Sequence, residues 1–340
     1  MNIKLRHSIW GRLFSLIFGG VRHSYIDADI VACTVEDASR DEVMIVWAWN
    51  LDATSVPDVS AFTIAGKTIT NVAVAGGLVT LTVSVAYDFG DVPGDVVYVA
   101  PALNPLKQES SGSVVNNFTE TITSYITYPA ALDDGHHWWY DATDLTQITK
   151  DGSNLVSAWH SKGVADRPLL QATGTNQPLW VSPGTIRFDG IDNFLKTAAF
   201  TWNQPEMIYI IVKQITWTSL DTIFDGNSTS YFRLYQNTLS PNMSFISGGA
   251  VISTDPDLTL NEWGIIRVLA SGANSKIITN NNIAITGNAG KWAAGGFTLG
   301  TRGNTTGNYS NIEVKDIVCC DQDDAANEAE IYAFLLSRKP

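Results

Sequence analysis

Cysteine is nearly absent from these 340 residues; only Cys33, Cys319 and Cys320 occur. Two of the three are adjacent, which disulfide geometry disfavours, and Cys33 lies in a different part of the chain. The disulfide framework of a small secreted scaffold is therefore excluded. The CxxC-type spacing of a zinc site is missing as well. The thiols read as small buried hydrophobes in a protein that folds in a reducing cytosol. Charge is also scarce, at 16% of residues, and long runs of Glu, Lys and Ala are rare. What is present is 45% hydrophobic residues with abundant Gly, Thr, Ser and Asn, a balance that rules out disorder and favours many short strands joined by turns. The length suits two domains.

The formal net charge is −13 and the pI near 4.7. An acidic surface repels phosphate backbones, so nucleic acid is excluded as a partner of the whole chain. The charge is uneven, however. No acidic residue precedes Asp27, whereas Lys4, Arg6, Arg12 and Arg22 all do. Residues 1–25 thus form a separate basic and apolar segment. Ile9, Leu13, Leu16 and Ile17 recur at helical spacing with Trp10 and Phe14 beside them, and Gly19-Gly20 would end such a helix. Arg12 leaves only Leu13–Phe18 uninterrupted, shorter than the apolar region of a signal peptide and far too short to span a bilayer. The alternatives are an anchor docking into another protein, an interfacial membrane helix and packing on the chain's own domains. The docking anchor, through Ile9, Trp10, Leu13, Phe14 and Ile17, is the expected one.

Residues 28–125 carry apolar runs about every ten residues. In Glu42–Asn50, Val43, Ile45, Trp47 and Trp49 share one face and Met44, Val46 and Ala48 the other, so both faces are apolar. Leu78–Val85 alternates behind a Gly76-Gly77 turn, which predicts a hairpin. The words NLDATSVPDVSAFTIAG (Asn50–Gly66), VTLTVSVAYDFGDVPGD (Val79–Asp95) and VYVAPALNPLKQESSGSVVNNF (Val97–Phe118) resemble the immunoglobulin-like repeat of bacterial surface and motility proteins. That resemblance implies a spacer or adhesion sandwich of about seven strands without catalytic residues. Asn104, Pro105, Ser111 and Gly112 then serve as turn formers.

Residues 137–340 begin after Tyr128, Pro129 and Asp133-Asp134-Gly135. The phrases HHWWYDATDLTQITKDGSNLVSAWHSKG (His136–Gly163), RPLLQATGTNQPLWV (Arg167–Val181), IRFDGIDNFLKT (Ile186–Thr197) and FTLGTRGN (Phe297–Asn304) resemble the laminin-G-like, concanavalin A-like jelly roll. Met207–Gln214 reads as a core strand. The chain closes with a predicted helix, capped by Asp321 or Asp323, whose apolar face is Ile331, Phe334 and Leu335 and whose last turn carries Arg338-Lys339. The fold class is therefore all-β: an immunoglobulin-like sandwich, then a jelly roll, with an N-terminal segment and a terminal helix.

Glycosidases on this kind of sandwich set two carboxylates on one strand face. Glu313 and Asp316, three apart, would fall on opposite faces, and Asp189 and Asp192 read as a turn. His136 and His137, as strand neighbours, point apart and do not converge on one ion. No cofactor is expected, with calcium on Asp225 and Asn227 of FDGNSTS the one metal considered; the resemblance also allows it. Trp202, Trp217, Tyr231, Trp292 and Tyr309 lie near turns and are the candidate ligand-binding residues, since flat apolar rings beside hydrogen-bonding groups suit sugars.

The two resemblances and the basic segment imply a bacteriophage virion protein, a head or tail fibre or decoration, and not an enzyme. It would be assembled in the host cytoplasm and reside on the virion surface. Its N-terminus would hold other virion proteins and its jelly roll host-surface glycans. A homotrimer is the state usual for fibres, although no sustained heptads drive one. The alternatives are a bacterial surface adhesin or carbohydrate-binding module, and a glycoside hydrolase.

Overall fold

The computed structural model describes residues 24–163, 165–227, 232–238, 241–249, 252–253 and 258–340. The expected anchor residues Ile9, Trp10, Leu13, Phe14 and Ile17 lie outside the described residues. The chain is mostly β, with one α-helix among the described residues, α1 (Glu328–Arg338). It divides into two compact units between Thr127 and Tyr128.

The first unit sets a five-stranded sheet, in the order Thr123–Tyr125, Ile30–Glu36, Ser39–Trp47, Leu78–Val83 and Ile69–Ala75, with a three-stranded sheet of Phe62–Ile64, Asp95–Tyr98 and Phe118–Thr121. Strict alternation selects the core face: Val79, Leu81 and Val83 are buried while Thr80 and Thr82 stay partly exposed. Gly76, at φ +56°, makes the hairpin turn, and a Cβ on Gly77 would crowd the Trp47 carbonyl at 3.1 Å. Of the two apolar faces of Ser39–Trp47, only that of Val43, Ile45 and Trp47 enters the core; Val46 is 37% exposed. The NPL phrase closes this core. Asn104 takes a left-handed φ of +48°, Leu106 is buried, and its N–H donates to the Tyr98 hydroxyl at 2.8 Å.

Among the described residues the second unit is a β-sandwich of two nine-stranded sheets. The first sheet runs Lys162–Gly163, His137–Asp141, Asn311–Cys320, Glu206–Gln214, Trp263–Ala270, Ser275–Thr279 and Ile285–Gly287, with Leu179–Val181 and Thr185–Asp189 joined to the Asn311–Cys320 strand. The second includes Leu195–Lys196, Thr298–Leu299, Thr222–Asp225, Phe232–Gln236 and Met243–Ser247 side by side. Between the sheets pack Trp138, Ile208, Ile210, Ile317, Phe224 and Phe245, among many others. Burying this much aliphatic and aromatic surface, at roughly 25 cal/mol per Å², drives the sandwich together.

Helix α1 covers the outer face of the first sheet, with Phe334 edge-on to Trp139 at 5.6 Å and Arg267 on Glu328 at 3.0 Å. The expected caps do not form. The helix starts only at Glu328, so Asp321 and Asp323 lie upstream of its N-cap position, which is Asn327 and makes no side-chain cap bond; Asp321 meets His136 at 2.7 Å instead.

A β-bulge changes the reading of the last strand. Ile210 pairs with Ile317 but Val212 with Val314, so one extra residue enters the Asn311–Cys320 strand. Ile312, Val314, Ile317 and Cys319 stay in the core, and Glu313 and Asp316 both turn to the outer face. They were expected on opposite faces. Each is nonetheless occupied: Glu313 by Arg187 at 3.2 Å and Lys213 at 2.6 Å, Asp316 by Arg338.

Candidate functional site

The tryptophan and tyrosine candidates scatter. Trp202 is 1% exposed and donates its indole N–H to the Cys320 carbonyl, so it is a core residue and no ligand reaches it. Trp217 packs on the core and donates to the Asn237 carbonyl at 2.9 Å. Tyr309 is half-buried and donates its hydroxyl proton to Thr305 O. Tyr231 lies outside the described residues. Among the described members of the set, Trp292 alone stands out, 47% exposed.

Asp225 and Asn227 do not offer their oxygens to one point. Asp225 accepts backbone N–H bonds from Gly226 at 2.8 Å and Gly303 at 3.0 Å. Asn227 donates its amide to Thr197 O at 3.0 Å. Burial pushes the Asp225 carboxyl up to about 7, against the pull of those N–H groups and of Arg233 and Arg302. A calcium ion here would have to displace the backbone donors beside two guanidinium groups.

Around Trp292 four loops are stitched into one platform. The Gln204 carboxamide nitrogen meets Ser247 Oγ at 2.6 Å, Trp292 O at 3.0 Å and Gly290 O at 3.2 Å, and its oxygen accepts from Gly272 N–H at 2.8 Å. The Trp292 N–H donates to Ser247 O at 3.0 Å. The indole lies on Gly248, where a Cβ would stand 2.4 Å from ring atom Cδ2 and where φ is +77°. Only glycine permits both the backbone and the ring contact. Lys291 and Ala293, the chain neighbours of Trp292, line an open cleft of about 540 Å³ together with Asn203, Gln204, Pro205 and Ser271; the indole itself is not part of that lining. Its lining offers amide, hydroxyl and ammonium groups.

One buried carboxyl borders this region. Glu206 follows cleft-lining Pro205, and its side chain shares the inward face of its strand with Ile208 and Ile210. One oxygen accepts from Ala294 N–H at 2.9 Å, and the other has no hydrogen-bond partner among the described residues. Burial pushes its pKa up to about 8, so the group is mostly a neutral acid at pH 7.

Sequence reasoning reached Trp292 but missed Gln204, Gly248, Asn203, Ser271 and Lys291, which come from separate loops. The visible signals were two Gly-Gly pairs, Gly248-Gly249 and Gly295-Gly296, the second close after Trp292.

No protein-family model matches the chain, and no curated protein matches it. Among solved structures it is similar to a GH54 α-L-arabinofuranosidase soaked with a cyclic sulfate inhibitor, at 10% identity and a TM-score of 0.44, over 54% of this chain and 51% of that one. It is also similar to a Trypanosoma rangeli sialidase, at 14% identity and a TM-score of 0.42, over 63% of this chain and 34% of that one. The same sialidase in complex with sialic acid aligns at 11% identity and a TM-score of 0.42, over 90% of this chain and 44% of that one. The matched part thus spans half of the arabinofuranosidase chain, and less than half of the sialidase chains. These neighbours correct two expectations, that the chain is a bacteriophage virion protein and that it is not an enzyme: they are glycoside hydrolases, and nothing found points to a virion. At such low similarity no active site and no substrate carries over from them.

Proposed function

We propose that the unit of residues 128–340 recognises a saccharide in the cleft beside Trp292. The observation that carries this reading is the half-exposed indole fixed on Gly248, whose chain neighbours Lys291 and Ala293 line that cleft. A sugar ring offers C–H groups to an aromatic face and hydroxyls to donors and acceptors at its edge. Asn203, Ser271 and Lys291 supply such groups here, and Gln204 holds the surrounding loops in register. We further read the two units as an immunoglobulin-like sandwich and a concanavalin A-like jelly roll. The five-plus-three sheets of the first, and the paired nine-stranded sheets with closing helix of the second, support that reading.

The test is a titration of the full chain against a panel of neutral and acidic oligosaccharides, followed by tryptophan fluorescence and calorimetry. Saturable binding by at least one, weakened tenfold or more in Trp292→Ala with an unchanged melting temperature, is the expected result. Binding that Trp292→Ala leaves intact overturns the assignment of the cleft. Release of new reducing ends, followed in the same samples, would add hydrolysis to recognition.

A further inference from the structure

On the helix side of the first sheet, three side chains of metal-ligating type meet in a closed space. His137, Cys320 and Asp324 are all buried, and their ligand atoms lie within 4.8 Å of one another. The strand register accounts for two of them. His137 and Cys320 are directly opposed on antiparallel strands, and both point outward because Trp138 and Cys319 point into the core. Directly opposed residues hold their Cβ atoms about 4.5–5.5 Å apart. Asp324 arrives from the connection to α1, where it accepts the Tyr209 hydroxyl proton at 2.7 Å and the Asn327 amide at 3.0 Å.

The surrounding contacts follow a recognisable order. His137 turns Nε2 toward Asp324 at 3.0 Å and Nδ1 toward Asp134 at 2.8 Å. A carboxylate on the outer nitrogen is what orients a metal-bound imidazole and raises its basicity. Tyr209 plays the equivalent part for the Asp324 oxygen.

We propose that His137 Nε2, Cys320 Sγ and Asp324 Oδ2 form a binding site for a divalent transition-metal ion of the zinc class. One imidazole, one thiolate and one carboxylate match that class, whereas calcium and magnesium require oxygen donors. Tetrahedral zinc holds its ligand atoms about 3.5 Å apart, so His137 Nε2 and Asp324 Oδ2, at 3.0 Å, open slightly while any wider separation, at most 4.8 Å, closes. Binding transfers the Nε2 proton of His137 and the thiol proton of Cys320 to solvent. The thiolate and the Asp324 carboxylate then balance the two charges of the ion. The ligands come from positions 137, 320 and 324, which is why no CxxC spacing announces them. The role is a fastening one: the ion would tie the first strand of the unit, its last strand and the start of α1 to a single point.

The test uses the full chain, stripped with chelator and then refolded with cobalt(II), because the site is closed. One cobalt per chain, with visible bands of tetrahedral strength and a near-ultraviolet thiolate-to-cobalt band, is expected. Cys320→Ser should lose the thiolate band, and His137→Gln should lose the bound cobalt. In the wild type, zinc should raise the melting temperature of the stripped chain. No stoichiometric cobalt, or a six-coordinate spectrum without the thiolate band, overturns the proposal. So does a Cys320→Ser chain that keeps that band. The wild-type spectrum decides even if a variant does not fold.

Discussion

Arg338, in the last turn of α1, holds Asp316 with two nitrogens, Nε at 2.9 Å and a terminal nitrogen at 2.8 Å. Asp316 is wholly buried on the outer face of the sheet, and the same guanidinium also bonds Asp141. Burial pushes the Asp316 carboxyl up, and Arg338 opposes that. Breaking such a pair from one side strands a buried charge. Arg338→Met should therefore cost about 3–5 kcal/mol, and Arg338→Met with Asp316→Leu considerably less. A double-mutant cycle by urea unfolding measures the difference, and additive losses would contradict the pairing.

Gly248 is the position on which the saccharide reading can be tested without touching a ligand-contacting group. Gly248→Ala places a methyl 2.4 Å from the Trp292 ring at a φ of +77°. Strain of this kind costs about 1–3 kcal/mol. The variant should melt earlier, and whatever oligosaccharide the wild type binds should bind it at least tenfold more weakly.

Glu206 sets a pH dependence of stability. Its pKa is raised from 4.5 to about 8 by burial, so the folded state keeps a proton that the unfolded state releases. The stabilisation is full below pH 4.5 and is lost as pH rises through about 8. Glu206→Gln keeps an acceptor for Ala294 N–H and removes the titration. Relative to wild type it should gain stability between pH 5 and 8.5, by several kcal/mol at most since one pKa unit is about 1.4 kcal/mol. Parallel melting curves of the two proteins across that range would refute it.

Tyr98 tests the closure of the first unit. Tyr98→Phe removes the acceptor for the buried Leu106 N–H and leaves that donor unpaired. The expected cost is about 1–3 kcal/mol. Amide exchange at Leu106 should accelerate, while an amide in the core of the second unit, such as Ile210, should not.

Much of this architecture was legible from periodicity alone. The alternation of Leu78–Val83 and the apolar run Met207–Gln214 become strands, and Ile331, Phe334 and Leu335 become the buried face of α1. Other features depend on information spread over the chain. The bulge that turns Glu313 and Asp316 to one side arises from pairing with Glu206–Gln214, about a hundred residues earlier. Trp202 sits in turn-like text, yet aromatic packing against Trp138 and Phe200 draws it inside. The cleft joins loops near residues 204, 272 and 291, and no local pattern records that meeting.

The Asn311–Cys320 strand lies between His137–Asp141 and Glu206–Gln214, in the interior of its sheet, although it is the last strand of the unit to be synthesised. During translation both neighbours must wait, edges unpaired, until more than a hundred further residues have left the ribosome. Contacts of such sequence separation slow folding. Nascent chains of this unit thus carry two unpaired β-edges until that strand emerges, and edges of that kind are where misassociation begins.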